Sequence, residues 1–469
     1  MPRIGFIVTA TSRTPSPRDR GRGLPTRPLS GRRGHIGWIV AASLATGLVV
    51  ALVLVFAPFI PAQESAVTGV VLCGFALGWA MLALLSARFT DQPQRWAAAP
   101  AVFMGLGGLV LLAFGSSAQE VLKWVWPPAL LALVIWMGIR ARRTLRSRSG
   151  RFLLYPLFAV LALAAIGGGY ETLSEAADAR AFPAPGKLID VGGHKLHLNC
   201  TGSGSPTVVL EPGGAGMSAT LGLIKPTVAR GTRVCAYDRA GRGWSEPADT
   251  PQDGTQIAND LHTLLHRGNV PGPYVLAGHS FGGLYVLSFA ARYPDEVAGM
   301  VLLDSTAPKA APRPGATSPA QGTDDVVGRV SALISTSARF GLVRLYALTD
   351  FGNLPPRTRD EARAKSATSG PVRSTIDEYV QANSSIEEAA ALRTLGDKPL
   401  FVLTAGTGSE ADWAEKQNAL AALSTNSAHR TIADATHDSL ISEKEHADTA
   451  AQAINDVVAS VRSGRPLVK

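Results

Sequence analysis

Five apolar stretches, crowded into the first 170 residues, constrain this chain more than any other feature of its sequence. They occupy residues 36–60, 66–86, 97–115, 121–139 and 152–170. Each approaches the ~20 residues that a helix needs to cross ~30 Å of hydrocarbon, so the region predicts about five transmembrane helices. The fourth is the weakest, because Lys123 and Pro127-Pro128 shorten its clean apolar part. The first is too long for a signal-peptide core and is followed by further spans, so it reads as retained. The N-terminal tail carries eight Arg, the second loop has Arg88 and Arg95, and the fourth has Arg140, Arg142, Arg143, Arg146 and Arg148. The first and third loops hold Glu64 and Glu120 with almost no basic residues. Lys and Arg stay on the cytoplasmic side, so this alternation predicts an N-terminus inside and, after five crossings, a C-terminal region outside.

The charge balance follows the same division. The net charge is +9, yet residues 1–151 alone hold 17 Lys+Arg against 4 Asp+Glu, leaving the remainder slightly acidic. A topogenic basic tail explains that excess, and nothing beyond it offers a positive field for nucleic acid. Residues 1–34, rich in Arg, Pro, Ser and Gly, read as a disordered tail. The apolar region follows over 35–170, then a linker over 171–186 with an Ala-rich helical stretch and two prolines. Residues 187–469 have the composition of a folded water-facing domain. There, 187–191 and 195–200 flank Gly192-Gly193 as a hairpin, and short apolar runs near 207–211, 233–238, 274–277, 297–304, 400–404 and 429–433 alternate with helical segments. One hairpin followed by β-α-β repeats predicts a mostly parallel sheet with helices on both faces.

The strongest local signal is Gly278-His279-Ser280-Phe281-Gly282, placed after an apolar strand and before an amphipathic helix closed by Pro294. A nucleophile on so sharp a turn needs small residues two positions either side, and Gly278 and Gly282 meet that need. The turn also sets the serine oxygen at a helix N-terminus, where negative charge is stabilised.

With three further segments the chain resembles the α/β-hydrolase superfamily of serine hydrolases and esterases, here fused to a multi-span membrane region. These segments are Val208-Val209-Leu210-Glu211-Pro212-Gly213-Gly214, Tyr237-Asp238-Arg239-Ala240-Gly241-Arg242-Gly243-Trp244-Ser245, and Ala435-Thr436-His437-Asp438, in the family's order. The resemblance implies an α/β-hydrolase fold, a mostly parallel eight-stranded sheet carrying a helical cap inserted at about 306–396. It implies Ser280 as nucleophile and His437, just past the last strand, as its base, since serine needs an adjacent base to react. His279 is expected to line the pocket or pack locally, and His429 and His446 to be structural or exposed. The acid is open. Asp304, ending the sixth strand, is favoured over Asp412 and Glu410, which lie after the seventh; the carboxylate is needed to hold the imidazole tautomer.

The oxyanion hole is assigned to the backbone N–H groups of Gly214 and Phe281. Many relatives have His-Gly before that donor where this chain has Pro212-Gly213, which removes a bracing side chain but leaves the donor. The segment from Asp238 to Ser245 is given a structural role. Cys200 and Cys235, on neighbouring strands of the family's sheet, are candidates for a disulfide in an oxidising compartment; two buried thiols are the alternative. Three cysteines provide no zinc spacing, and Cys73 reads as a small core residue. In the cap, 326–348 and 375–395 look helical, with Val330, Leu333 and Ile334 available to cover the pocket. The reading is a membrane-anchored serine hydrolase that cleaves a small-molecule acyl ester, lipid-like by location, through an acyl-enzyme. It implies no metal or organic cofactor and no nucleic-acid partner. Acyl transfer by the same triad and a non-catalytic ligand-sensing membrane protein are the rivals. No aspartate stands at the elbow to support the family's other chemistries.

Overall fold

The computed structural model describes residues 35–248, 250–309, 321–408 and 412–468. The tail over 1–34 and the candidate acid Glu410 lie outside them. Four apolar helices come first: α1 (Ile36–Val55), α2 (Glu64–Phe89), α3 (Ala98–Thr144) and α4 (Arg148–Ala181). All four are long and apolar enough to cross a membrane. At 1.5 Å per residue α3 would run about 70 Å, more than twice the hydrocarbon thickness. It does not run straight. Gly115 breaks it with φ 58° and ψ −136°, a conformation open to glycine alone. The two arms fold back on each other, so the rings of Phe103 and Trp126 lie 4.2 Å apart. The five apolar stretches therefore lie on four helices, one of them reversed at Gly115. α4 continues unbroken through most of the expected linker. Close packing of α1 on α2 uses small residues, as membrane helices do; a Cβ on Gly78 would come within 2.7 Å of the Ser43 carbonyl oxygen.

The remaining chain builds one eight-stranded sheet from β1 (Lys187–Asp190), β2 (Lys195–Thr201), β3 (Thr207–Glu211), β4 (Val234–Tyr237), β5 (Tyr274–His279), β6 (Val297–Leu303), β7 (Leu400–Ala405) and β8 (Ser427–Ile432). Their spatial order is β1-β2-β4-β3-β5-β6-β7-β8, antiparallel through β2 and parallel thereafter. Successive side chains leave opposite faces of a strand, and this feeds two cores. Val209, Leu276 and Met300 meet α6 (Gly254–Arg267) and α7 (Gly282–Arg292) on one side. Val208, Val275 and Val301 meet α5 (Ile224–Ala229) on the other, together with a long C-terminal helix, Lys444–Ser463.

Between β6 and β7 comes the cap: α8 (Gln321–Ala338), α9 (Leu342–Ala347), α10 (Pro356–Ser366), α11 (Ser369–Val380) and α12 (Ala382–Ala389). α13 (Trp413–Ala421) follows β7, and a short turn of helix at Ser439–Ser442 precedes the last helix. The cap is clamped to one end of the membrane helices. The Arg344 guanidinium is buried and donates to both Glu171 oxygens, at 2.8 and 2.9 Å, and to Asp178 at 2.6 Å. Arg339 pairs with Glu64, and Arg329 and Arg373 donate to the carbonyls of Ile60 and Ala62. This corrects one expectation about the cap. Leu333 packs toward Val55, Val67 and Val70 of the membrane helices, and Val330 and Ile334 are exposed, so this face of α8 does not cover the pocket.

Removing one partner of a buried ion pair strands the other and costs about 3–5 kcal/mol. Arg344→Ala should therefore loosen the cap from the bundle. Limited proteolysis is expected to cut 342–380 faster in this variant, while the hydrolase core keeps its resistance.

Candidate active site

Ser280, Asp304 and His437 sit beyond the carboxyl ends of parallel strands, where open α/β sheets gather their ligand-binding groups. Ser280 follows β5 directly and takes φ 54°. A serine is held in this left-handed region only when its surroundings compel it. The flanking glycines show how tightly. A Cβ on Gly278 would meet the Gly282 carbonyl oxygen at 2.5 Å, and one on Gly282 the Glu211 carbonyl oxygen at 2.5 Å. Phe281 then caps α7, and the Ser280 N–H is satisfied by the Leu303 carbonyl of the neighbouring strand at 3.1 Å.

Asp304 extends β6, also at positive φ (43°), and is 1% exposed. Its Oδ2 lies 2.6 Å from His437 Nδ1. Its Oδ1 accepts from the Ala405 N–H at 3.0 Å and from Trp413 Nε1 at 2.7 Å. Burial alone would raise this carboxyl. The bonds from His437, Trp413 and Ala405 outweigh it and hold Asp304 below its ordinary value. The same bond raises the His437 imidazole above its ordinary value, against partial burial. His437 is tied to the elbow through its backbone, since its carbonyl accepts from His279 Nε2 at 3.0 Å. His279 is neutral there; burial, then the neighbouring His437, push it down to about 4. No hydrogen bond joins the Ser280 hydroxyl to the His437 ring among the described residues. Contacts of that kind are often loose before substrate arrives.

The other candidates separate. Asp412 is exposed at the start of α13 and pairs with Lys416 at 2.9 Å, away from His437. His429 bonds to Thr404 and Asn418, and His446 to Ser439. Gly213 and Gly214 face the elbow: Cβ atoms built on them would lie 3.1 Å from Ser280 Cβ and 3.4 Å from the Phe281 ring. Cys200 and Cys235 are opposed on β2 and β4 and form a disulfide, with S–S 2.03 Å. Cys73 is free and half-buried.

Sequence reasoning missed what braces the loop that carries Gly214, the candidate oxyanion donor. Arg239 is 4% exposed and donates to the carbonyls of Pro212 (2.8 Å) and Gly213 (2.7 Å), to Glu211 Oε1 (2.6 Å) and to Glu378 Oε1 (2.8 Å). Glu378, from α11 of the cap, also takes Arg242 at 2.5 Å, the Tyr285 hydroxyl at 2.8 Å and the Ala215 N–H at 3.1 Å. Burial opposes the charge on Glu378, but Arg239 and Arg242 overcome it and keep its carboxyl below the ordinary value. Glu211 is less well compensated; burial lifts it to about 7 despite Arg239 and the Tyr237 hydroxyl. Tyr379, next along α11, packs over Phe281 with ring centroids 5.4 Å apart. The glycines after Asp238 do shape a tight path, as expected: at Gly243, φ 51°, a Cβ would lie 2.2 Å from the Asp238 carboxylate.

The sequence profile of the α/β hydrolase fold matches residues 206–444, just over half of the chain. The chain belongs to the α/β-hydrolase family. An uncharacterized protein of Schizosaccharomyces pombe is 34% identical over 155 residues, covering 27% of this chain and 29% of that protein. The 2-hydroxymuconate semialdehyde hydrolase of a Pseudomonas strain is 32% identical over 126 residues, covering 26% of this chain and 44% of the hydrolase. The similarity thus spans less than half the length of either relative. Among solved structures, an esterase from Thermogutta terrifontis superposes with a TM-score of 0.46 at 21% identity, over 59% of this chain and 97% of the esterase.

If Glu378 fixes the loop that carries Gly214, Glu378→Gln should misplace that donor while leaving Ser280 and His437 intact. We expect a fluorophosphonate to label Ser280 about 10–100-fold more slowly, with Glu378→Asp recovering part of the rate.

Proposed function

We propose that this chain is a membrane-anchored serine hydrolase that cleaves an acyl ester through Ser280, His437 and Asp304. The observation that carries the reading is the 2.6 Å bond from Asp304 to His437 Nδ1, on a loop whose backbone is tied to the residue before Ser280. With Nδ1 committed to Asp304, Nε2 is the ring atom left to take a proton. Ser280 Oγ attacks the ester carbonyl carbon as its proton passes to His437. The negative oxygen is held by the N–H groups of Gly214 and Phe281. Collapse expels the alcohol, which leaves with the proton from His437, and the acyl group remains on Ser280. Water, deprotonated by the same imidazole, attacks the acyl carbon; the bond to Ser280 Oγ then breaks, His437 returns the proton to that oxygen, and the acid is released. Asp304 keeps its negative charge throughout and stabilises the imidazolium.

The orientation is part of the proposal, with the N-terminus cytoplasmic and the catalytic domain outside. Gln92 accepts from the Arg146 N–H, so the basic second and fourth loops share the end of the bundle opposite the cap. Positive residues favour the cytoplasmic face. The Cys200–Cys235 bond suits an oxidising compartment. A lipid-like acyl ester is the substrate class we favour, because Leu342, Leu345 and Tyr346 of α9 are exposed beside the end of α4.

Activity-based labelling followed by an ester panel of graded acyl length tests the reading. Ser280→Ala and His437→Ala should each abolish turnover, and only Ser280→Ala should remove the atom that the probe attaches to. Persistent turnover in Ser280→Ala would overturn the assignment. The pH profile adds an independent check. His437 acts as a base only when neutral, and its pKa is raised, so kcat/KM should climb with pH through a limb above the ordinary histidine value of about 6.5. Asp304→Asn removes the main cause of that elevation. It should move the limb to lower pH and reduce kcat by roughly 10⁴.

A further inference from the structure

At the amino ends of the parallel strands, the end opposite Ser280, three side chains unused by this mechanism converge. His262 and His266 stand four residues apart on α6, a spacing that brings both imidazoles to one helical face. Glu296, in the turn that leads into β6, points between them. His262 Nδ1 lies 2.9 Å from Glu296 Oε1, and His266 Nε2 lies 3.3 Å from the same oxygen. All three ligand atoms fall within 4.8 Å of one another. We propose that His262, His266 and Glu296 form a binding site for a divalent transition metal ion of the zinc class.

The spacing of the three groups matches that of ligands around one ion. Ligands about 2.0–2.1 Å from a tetrahedral centre stand about 3.3 Å apart, close to the two contacts seen here. Despite its short approach to Glu296, His262 Nδ1 is buried with no aligned hydrogen-bond partner, and so is Glu296 Oε2. His266 Nε2 does share a hydrogen bond with Glu296 Oε1, so His262 Nδ1 and Glu296 Oε2 are the lone pairs left for an ion. The His262 ring is fixed by Tyr293, stacked at 4.0 Å and 4°, and the Tyr293 hydroxyl is anchored on Asn259 at 3.0 Å. Such outer support is what orients metal-binding imidazoles. His266 is 58% exposed in its side chain and gives the ion an entry path. Two imidazoles and one carboxylate suit Zn²⁺, Ni²⁺ or Cu²⁺ better than Ca²⁺ or Mg²⁺, which prefer oxygen. His446 shows the contrast: its carboxylate neighbours Asp434 and Glu443 approach opposite ring nitrogens and cannot share one ion with it.

Glu296 precedes β6 and Asp304 follows it, so the strand's seven residues separate this site from the reaction centre by about 23 Å. The ion would clip α6 to the start of β6 and take no part in ester cleavage.

The test uses the full-length chain in detergent, without a polyhistidine tag and stripped by chelator. Titration with Zn²⁺ alone, read by calorimetry, should show one ion bound per chain. Co²⁺ should give the visible absorption of a low-coordinate N/O site, displaced by Zn²⁺. His266→Ala, at an exposed position, should fold normally and weaken Zn²⁺ binding at least about tenfold, as should Glu296→Gln. His437→Ala should bind Zn²⁺ like the parent, which excludes the catalytic imidazole as the source. Thermal unfolding should shift upward with Zn²⁺ in the parent and not in His266→Ala. No Zn²⁺ uptake by the parent, or uptake unchanged in both His266→Ala and Glu296→Gln, would overturn the proposal whatever the outcome of Ser280 labelling.

Discussion

Two residues held at positive φ at the ends of adjacent parallel strands set the geometry of everything around them. Ser280 closes β5 and Asp304 closes β6, with φ of 54° and 43°. Neither is glycine, and each such backbone costs on the order of 1–3 kcal/mol. The sheet sustains that cost because both N–H groups remain in its hydrogen bonding, Ser280 to Leu303 and Asp304 to Leu403. Turning the chain sharply at these points lifts the two side chains out of the sheet's plane on the same edge. Asp304 can then reach a histidine delivered 133 residues later in the chain. A one-residue slip in the pairing of β5 with β6 would send the two side chains to opposite faces. Strand register is thus the first condition of the site.

The second condition is electrostatic. Glu211, Arg239, Glu378 and Arg242 are all buried, two carboxyl groups and two guanidinium groups drawn from β3, the turn after β4 and the cap. Buried charges are weak contributors to stability, since desolvation offsets most of their attraction. What they fix here is position. Two of the Arg239 donors end on the backbone carbonyls of Pro212 and Gly213, and Glu378 accepts the Ala215 N–H. The loop carrying Gly214 is held at three successive peptide groups, by charge-assisted bonds stronger than neutral ones. Its prolyl-glycyl sequence lacks a bracing side chain of its own, and the guanidinium takes that place.

How much of this was written in the sequence depends on the range of the interaction. Hydrophobic runs, turn glycines and the elbow are local signals, and they located all eight strands within about two residues and singled out Ser280, His437 and Asp304 as candidates. The membrane region was readable for the same reason, although the reversal at Gly115 hid inside a continuous apolar stretch. Arg239 and Glu378 were not readable. They are 139 residues apart, and nothing near either one marks it as buried. Trp413, donor to Asp304, likewise gave no local sign. The cap was misjudged at α8, because an apolar stripe records that a face will be covered and not by what. There the membrane helices, not the substrate pocket, supply the cover for Leu333.

These contacts make the cap a bridge. Along α11, Arg373 donates to the carbonyl of Ala62, in the connection between α1 and α2, and five residues later Glu378 grips the loop that carries Gly214. Across α8 and α9, Arg339 and Arg344 pair with Glu64 and Glu171 at the same end of the bundle. α11 cannot swing as a free lid without breaking the buried ion pairs of Glu378 with Arg239 and Arg242, at a cost of several kcal/mol. The loop that would stabilise the transition state is therefore referenced, through one rigid helix, to the position of the membrane helices as well as to the sheet. In this arrangement the membrane region is a third wall of the catalytic domain's support, and an assay on the hydrolase domain cut free of it would lack part of the scaffold that holds Glu378 in place.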